Sequence, residues 1–197
     1  MTRSTTPSAS RRTPRPPDPD RRNVILEATL DVVAERGTAG TTMRRVAERA
    51  DVPLGSMTYY FEGKQPLLIE AFTLLAERFS RAFREQLSAA TTADEARDAV
   101  TDIICGPFGD AGTQVLNFEL YSFASCDEAV RTVVRGWMAE SRAALQLHFD
   151  AVTARGIDAL IEGLMIRNSF DENPATREQI AELVGRLTAS AAPAVAK

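Results

Sequence analysis

Residues 41–64 read TTMRRVAERADVPLGSMTYYFEGK, and this stretch decides the fold. Thr42 is a good N-cap for a short helix over Met43 to Ala50, which sets Val46, Ala47 and Ala50 on one face. Asp51-Val52-Pro53 forms a turn, and Pro53 suits the first turn of the next helix, where an N–H has no partner to lose. That helix runs from Pro53 to Tyr60, and Glu62-Gly63 breaks it. Met57 and Phe61, four apart, face inward together with Val52. Leu54, Gly55, Ser56, Thr58, Tyr59 and Tyr60 are left outside. A short helix, a tight turn and a second short helix make a helix-turn-helix. Its second helix must be exposed on one face to enter a major groove about 12 Å wide, and packed on the other to be held rigid. Gly55 lets a backbone approach closely, and a serine with two tyrosines suits groove and phosphate contact.

Working outward, the chain is helical throughout, so the fold class is all-α with about nine helices. Upstream, a helix from Arg21 to Arg36 carries the apolar stripe Val24, Ile25, Ala28, Leu30, Val32 and Val33, and Gly37 ends it. Downstream, a long helix from Lys64 to Ser88 turns Leu68, Phe72, Leu75, Phe79, Phe83 and Leu87 to one side. Further helices are predicted near 94–105, 113–125, 128–150, 154–170 and 175–189, with Asp127-Glu128 a good start signal. Residues 1–20, with five prolines and four arginines, read as a disordered arm, either a solvated tail or a strand reaching into a minor groove. The predicted organisation is therefore an arm (1–20), a helix-turn-helix head (21–66), a helical ligand-binding and dimerisation body (67–189) and a frayed tail (190–197).

The net charge of −4 is misleading for a DNA-binding protein until the chain is divided. Residues 1–60 hold ten Arg against seven Asp or Glu, and residues 61–197 hold thirteen Lys or Arg against twenty acids. A head at +3 on a body at −7 attracts phosphate at one end and repels it at the other. No apolar run approaches the roughly 18 uncharged residues of a membrane span, and the N-terminus lacks a secretory pattern, so a cytoplasmic protein with no membrane partner is expected. A single histidine argues against a histidine-based metal site or a Ser-His-Asp triad. No cofactor, metal site or catalytic residue is expected. Cys105 and Cys126 have no metal-ligand spacing and are expected to be small buried hydrophobes.

From Asn23 to Phe72, about a quarter of the chain, the sequence resembles the tetracycline-repressor (TetR) family of transcriptional regulators. The resemblance lies in Ile25-Leu26-Glu27-Ala28, Thr41-Thr42, Val46-Ala47-Glu48-Arg49-Ala50, and Gly55-Ser56-Met57-Thr58-Tyr59-Tyr60-Phe61 followed by Lys64. It departs from the family where Asp51 replaces the usual turn glycine, Thr58 the usual first tyrosine and Tyr60 the usual histidine. The resemblance implies that Thr42 contacts phosphate at a helix N-terminus and that Arg44 reads a base or a phosphate. It implies Leu54, Gly55, Ser56 and Tyr59 against base edges, and Thr58, Tyr60 and Lys64 on phosphates. Arg45 and Arg49 fit a solvated helix face equally well.

The resemblance further implies a homodimer joined by the last two helices of each subunit. Ile180, Leu183, Val184 and Leu187 form a narrow stripe on the last. Ile157, Leu160, Ile161, Leu164 and Met165 lie on the one before, where Gly163 would allow close approach. Leu160, Leu164, Ile180, Leu183, Val184 and Leu187 are the candidate interface. A family member holds its effector in the body, and large apolar groups beside polar ones suggest Phe83, Asn117, Phe118, Tyr121, Trp137, His148 and Met165. Trp137, Ser141, Leu145 and His148 are spaced to share a helix face, with His148 either a satisfied core histidine or a ligand contact. Of Asn117 and Glu119, periodicity does not say which points inward. The expected function is a repressor released from a palindromic operator in double-stranded DNA by a small hydrophobic or aromatic effector. The alternatives are a ligand-independent regulator, an activator, or a helical enzyme using Glu119, Tyr121 and His148.

Overall fold

Side-chain caps set most of the helix starts. The computed structural model describes residues 19–106 and 111–189, and the expected arm over 1–18 and tail over 190–197 lie outside these. Nine helices occur among the described residues: α1 (Pro19–Gly40), α2 (Met43–Arg49), α3 (Leu54–Tyr60), α4 (Lys64–Ala89), α5 (Ala93–Cys105), α6 (Ala111–Cys126), α7 (Glu128–Leu145), α8 (Ala151–Asn168) and α9 (Arg177–Thr188). Thr42 caps α2 by accepting from the Arg45 amide at 3.3 Å. Asp127 caps α7 through the Ala129 and Val130 amides. Thr92 with Glu95, and Thr176 with Gln179, form reciprocal capping boxes on α5 and α9.

Three expectations change. Helix α1 begins at Pro19, so residues 19 and 20 belong to the head and not to an arm, and it kinks at Gly37 (φ 66°) before a last turn to Gly40. Its buried set adds Leu26 and Thr29 and loses Val24, which is half exposed, because α2, α4 and α6 wrap the helix from several sides. The helix expected over 128–150 stops at 145, and the one expected from 154 starts at 151. α7 ends at Leu145, and Asp150 caps α8 by accepting from Val152 and Thr153 amides. His148 therefore does not continue the face of Trp137 and Ser141. Both cysteines are exposed rather than buried, Cys105 ending α5 and Cys126 ending α6.

Two apolar clusters hold the chain together. The first joins Ile25 and Val33 of α1, Val46 of α2 and Met57 of α3 to Leu68, Phe72 and Phe79 of α4, and continues into Leu120 of α6 and Val134 of α7. The core thus runs through residue 66 without a break. The second gathers Phe83 and Leu87 of α4 with Val100 of α5, Leu145 of α7, Ile157 of α8, and Ile180 and Val184 of α9. Helices α7 and α4 both contribute to the two clusters, and the larger share comes from α4. It runs 26 residues, roughly 39 Å at 1.5 Å each.

Candidate nucleic-acid interface and body cavity

Helix α3 is fixed from beneath and open above. Met57 is fully buried and Phe61 nearly so, while Leu54 and Tyr59 are about half exposed and nothing lies over Gly55. Burying a side chain such as Met57 is worth about 1.5–3 kcal/mol, enough to hold a seven-residue helix too short to persist alone. The Thr58 hydroxyl donates back to the Gly55 carbonyl at 3.2 Å. Tyr60 is half-buried against the core, with its ring edge-on to Tyr59 at 5.3 Å. The Arg22 guanidinium lies 5.0 Å over the Phe61 ring and pairs with Glu70, tying α1 to the end of α3 and the start of α4.

On α2, Arg44 is exposed and pairs with Glu48 at 2.9 Å, an i,i+4 contact weak enough in water to be exchanged for DNA. Arg49 turns toward α1 instead, pairing with Glu35 at the surface and lying 3.4 Å from Asp31, and its hydrogen bond holds the Glu35 carboxyl below its ordinary range. Arg45 donates to the Gly40 carbonyl. The turn residue Asp51 has φ 51°, a left-handed conformation costly for any residue with a Cβ. Lys64, the first residue of α4, borders a cleft with Thr38, Gln65 and Asp127. The Val130 amide, and after it Gln65 donating at 2.6 Å, hold the Asp127 carboxyl below its ordinary range.

A clasp invisible to periodicity joins head and body. The Glu119 carboxylate of α6 accepts from the Thr38 amide at 2.8 Å and the Thr38 hydroxyl at 2.6 Å, just past the Gly37 kink. A Cβ at position 37 would sit 2.6 Å from Glu119 Oε1, so the glycine supplies both the positive φ and the room. Of the two polar residues left open on α6, Glu119 faces the head and Asn117 faces a cavity.

Phe83, Asn117, Trp137 and Met165 line a narrow, part-open cavity. Asn117, Phe118, Tyr121 and Met165 line a smaller, adjoining one. Trp137 lies 5.7 Å from Phe79 and 6.1 Å from Tyr121, ring centre to ring centre. The shared wall also holds Glu162, with Asp158 in the larger space. Sequence reasoning passed over these two acids, although 158, 161, 162 and 165 follow the i, i+3, i+4, i+7 spacing of one helix face. Asp158 pairs with Arg142 at 3.3 Å. Burial raises both carboxyls above their ordinary range, against the pull of Arg142 on Asp158 and of Tyr121 on Glu162. Burial, with the negative charge of Glu162 beside it, raises the Tyr121 phenol as well. Asn117 Oδ1 and the Tyr121 hydroxyl are buried without a well-formed hydrogen bond.

His148 stands apart from both cavities. Its Nε2 donates to the Leu87 carbonyl at 2.7 Å, tying the α7–α8 connection to the end of α4, a structural contact that leaves no convergence with Glu119 and Tyr121. The dimer stripe divides as well. Ile180 and Val184 are buried within the chain against α5, which removes them from any surface a partner could reach. Leu183 and Leu187 are about two-fifths exposed, and Leu160 and Leu164 are half-buried. The close approach falls at Gly156, where a Cβ would meet Leu187 at 3.3 Å, while Gly163 has nothing within 4 Å. Among the described residues no helix is long and apolar enough to cross a membrane, and no group of three acidic, cysteine or histidine side chains is placed to hold a metal.

Comparison with known proteins agrees with this geometry. Residues 25–71 match the pattern of the bacterial regulatory proteins of the tetR family, and residues 88–190 match the tetracyclin repressor-like C-terminal domain. The structure of the regulator SCO7518 from Streptomyces coelicolor A3(2) is 43% identical, with a TM-score of 0.79 over 87% of this chain and all of that one. The multidrug binding protein EbrR, solved with ethidium, is 33% identical, with a TM-score of 0.68 over 86% of this chain and 99% of its own. The transcriptional regulator BetI of Rhizobium meliloti is 28% identical over 82% of this chain and 84% of its length. The repressor KstR of Rhodococcus jostii is 45% identical over 62 residues, 32% of this chain and 28% of its own. With an outward-facing α3 on a packed three-helix head and a helical body behind it, this chain belongs to the tetR family of bacterial transcriptional regulators.

Proposed function

We propose that the protein is a repressor that holds a palindromic operator as a homodimer and is released by a small aromatic molecule bound in the body cavity. The observation that carries this reading is the course of α4. One helix begins at Lys64, next to the end of α3, and reaches Phe79 and Phe83 in the cavity wall. A molecule wedged between Phe83 and Trp137 tilts this rod and moves Lys64 and α3 with it in each subunit. The two recognition helices then no longer match successive grooves. A ~100-fold loss of operator affinity needs only about 2.7 kcal/mol of coupling. EbrR, whose body resembles this one, has been solved with ethidium, proflavin and malachite green, which favours an aromatic effector here.

On DNA, Leu54, Gly55, Ser56 and Tyr59 face bases, Arg44 leaves Glu48 to read a base, and Thr42, Thr58, Tyr60 and Lys64 take phosphates. Leu183 and Leu187, with Leu160 and Leu164, form the dimer seam. Selection from randomised DNA should return a palindrome, and Arg44→Ala should relax preference at one position per half-site, costing ~1–3 kcal/mol there. An unchanged preference would remove Arg44 as a base reader. The double variant Leu183→Glu/Leu187→Glu should sediment as a monomer that no longer holds the selected site, and an intact dimer would exclude this seam.

A further inference from the structure

We propose that the cavity takes an aromatic monocation, with Glu162 as its counter-ion. This rests on the cavity being the effector site and goes further by naming the effector's charge.

The two carboxylates in the cavity wall differ in their partners. Asp158 lies 3.3 Å from Arg142, and Arg155 also acts on it. Its charge is therefore balanced within the protein. Glu162 joins no ion pair among the described residues: what acts on it is burial, the Tyr121 hydroxyl and the like charge of Asp158. A largely buried carboxylate with no cation beside it is destabilising in the empty protein, and a positively charged ligand relieves exactly that cost. The rest of the wall suits the same guest. Phe79 and Tyr121 each sit about 6 Å from Trp137, ring centre to ring centre, and aromatic faces attract cations. Asn117 Oδ1, buried and unsatisfied, remains to receive an N–H donor carried by the ligand. No arginine or lysine lines either cavity, so an anionic effector would meet only repulsion. The two spaces share Asn117, Glu162 and Met165, so one guest meets the walls of both.

N-methylacridinium and acridine share one three-ring frame, and at mildly alkaline pH the first carries a fixed positive charge and the second none. Equilibrium dialysis of each against the full-length protein reads the preference directly. The wild type should hold the cation about ten-fold tighter or better, a difference of about 1.4 kcal/mol. Glu162→Gln should lose that preference by weakening the cation while leaving acridine unchanged. Equal binding of both by the wild type overturns the charge assignment and leaves the cavity as an effector site. A preference that survives Glu162→Gln overturns Glu162 as the counter-ion. Binding of neither at millimolar concentration overturns the cavity reading and this inference with it. Should Glu162→Gln fail to fold, as judged by its helical circular dichroism, the wild-type comparison still decides whether the site selects positive charge.

Discussion

The head and the cavity treat their buried polar groups in opposite ways. In the head, the Thr29 hydroxyl donates to the Ile25 carbonyl at 2.7 Å and the Thr41 hydroxyl to Gly37 at 2.8 Å, and both residues are fully buried. Around the cavity, Asn117 Oδ1 goes without a partner, the Tyr121 hydroxyl lacks a well-formed hydrogen bond, and Glu162 has no counter-charge. Unsatisfied buried groups cost about 1–3 kcal/mol each, so one chain has a satisfied end and an unsatisfied end. The satisfied end must keep a rigid shape to meet DNA. The unsatisfied end has interactions held in reserve, which a ligand can complete. Helix α4 runs between them, and the Glu119 clasp on Thr38 joins the cavity-lining α6 to the head at the Gly37 kink.

The contrast breaks most readily through packing. Phe72 is fully buried in the cluster shared with the head, whereas the Phe83 ring has the cavity on one side. Phe72→Ala should cost ~3–5 kcal/mol, and Phe83→Ala clearly less because part of its surroundings is already empty. Equal losses in urea unfolding would show that the cavity wall is packed as tightly as the head. A smaller effect is expected at Asp51, where a left-handed φ of 51° is held by a residue with a Cβ. Asp51→Gly should stabilise the protein by about 1 kcal/mol net of the glycine's added freedom in the unfolded chain, and a loss of stability would mean the Asp51 side chain contributes more than its backbone costs.

The last prediction sharpens the cavity side. Burial raises the Glu162 carboxyl above its ordinary value in the folded protein. A raised folded pKa means that its contribution to stability is fully present below the unfolded value, near 4.3, and is lost as pH rises through the folded one. At neutral pH Glu162→Gln should therefore melt higher than the wild type by on the order of 1 kcal/mol, about 2–4 °C in a chain of this size. The advantage should shrink toward pH 4. A variant that melts lower at neutral pH would mean that Glu162 is compensated after all.

Most of the fold was legible because its signals are local. Thr42, Pro53, Asp127 and the Gly37 break mark ends by their own chemistry, and the α4 stripe from Leu68 to Leu87 is buried as its spacing predicts. Helix α7 ends five residues earlier than the spacing predicts, because apolar residues run on through Leu145 to Phe149, and the Asp150 cap marks the start of α8. What lay beyond reach depends on what a side chain meets far along the chain. Ile180, Leu183, Val184 and Leu187 form one stripe in sequence, and only the packing of α5 on α9 separates two core residues from two surface ones. Glu119 and Asn117, two residues apart, part company because α1 lies on one side of α6 and the cavity on the other. Asp158 and Glu162 were visible as an i,i+4 pair. Their importance appears only when Arg142 reaches one of them and no cation reaches the other.

Coupling between cavity and DNA is the claim on which the rest depends, and one reciprocal titration tests it most directly. Operator affinity should be measured by fluorescence anisotropy with and without saturating N-methylacridinium, or whichever cavity ligand binds tightest, and the ligand's affinity with and without operator. Linkage requires both affinities to change by the same factor, and the α4 lever predicts a weakening of about ten-fold to 100-fold in each direction. A ligand that occupies the cavity yet binds free and operator-bound protein equally well would contradict the account.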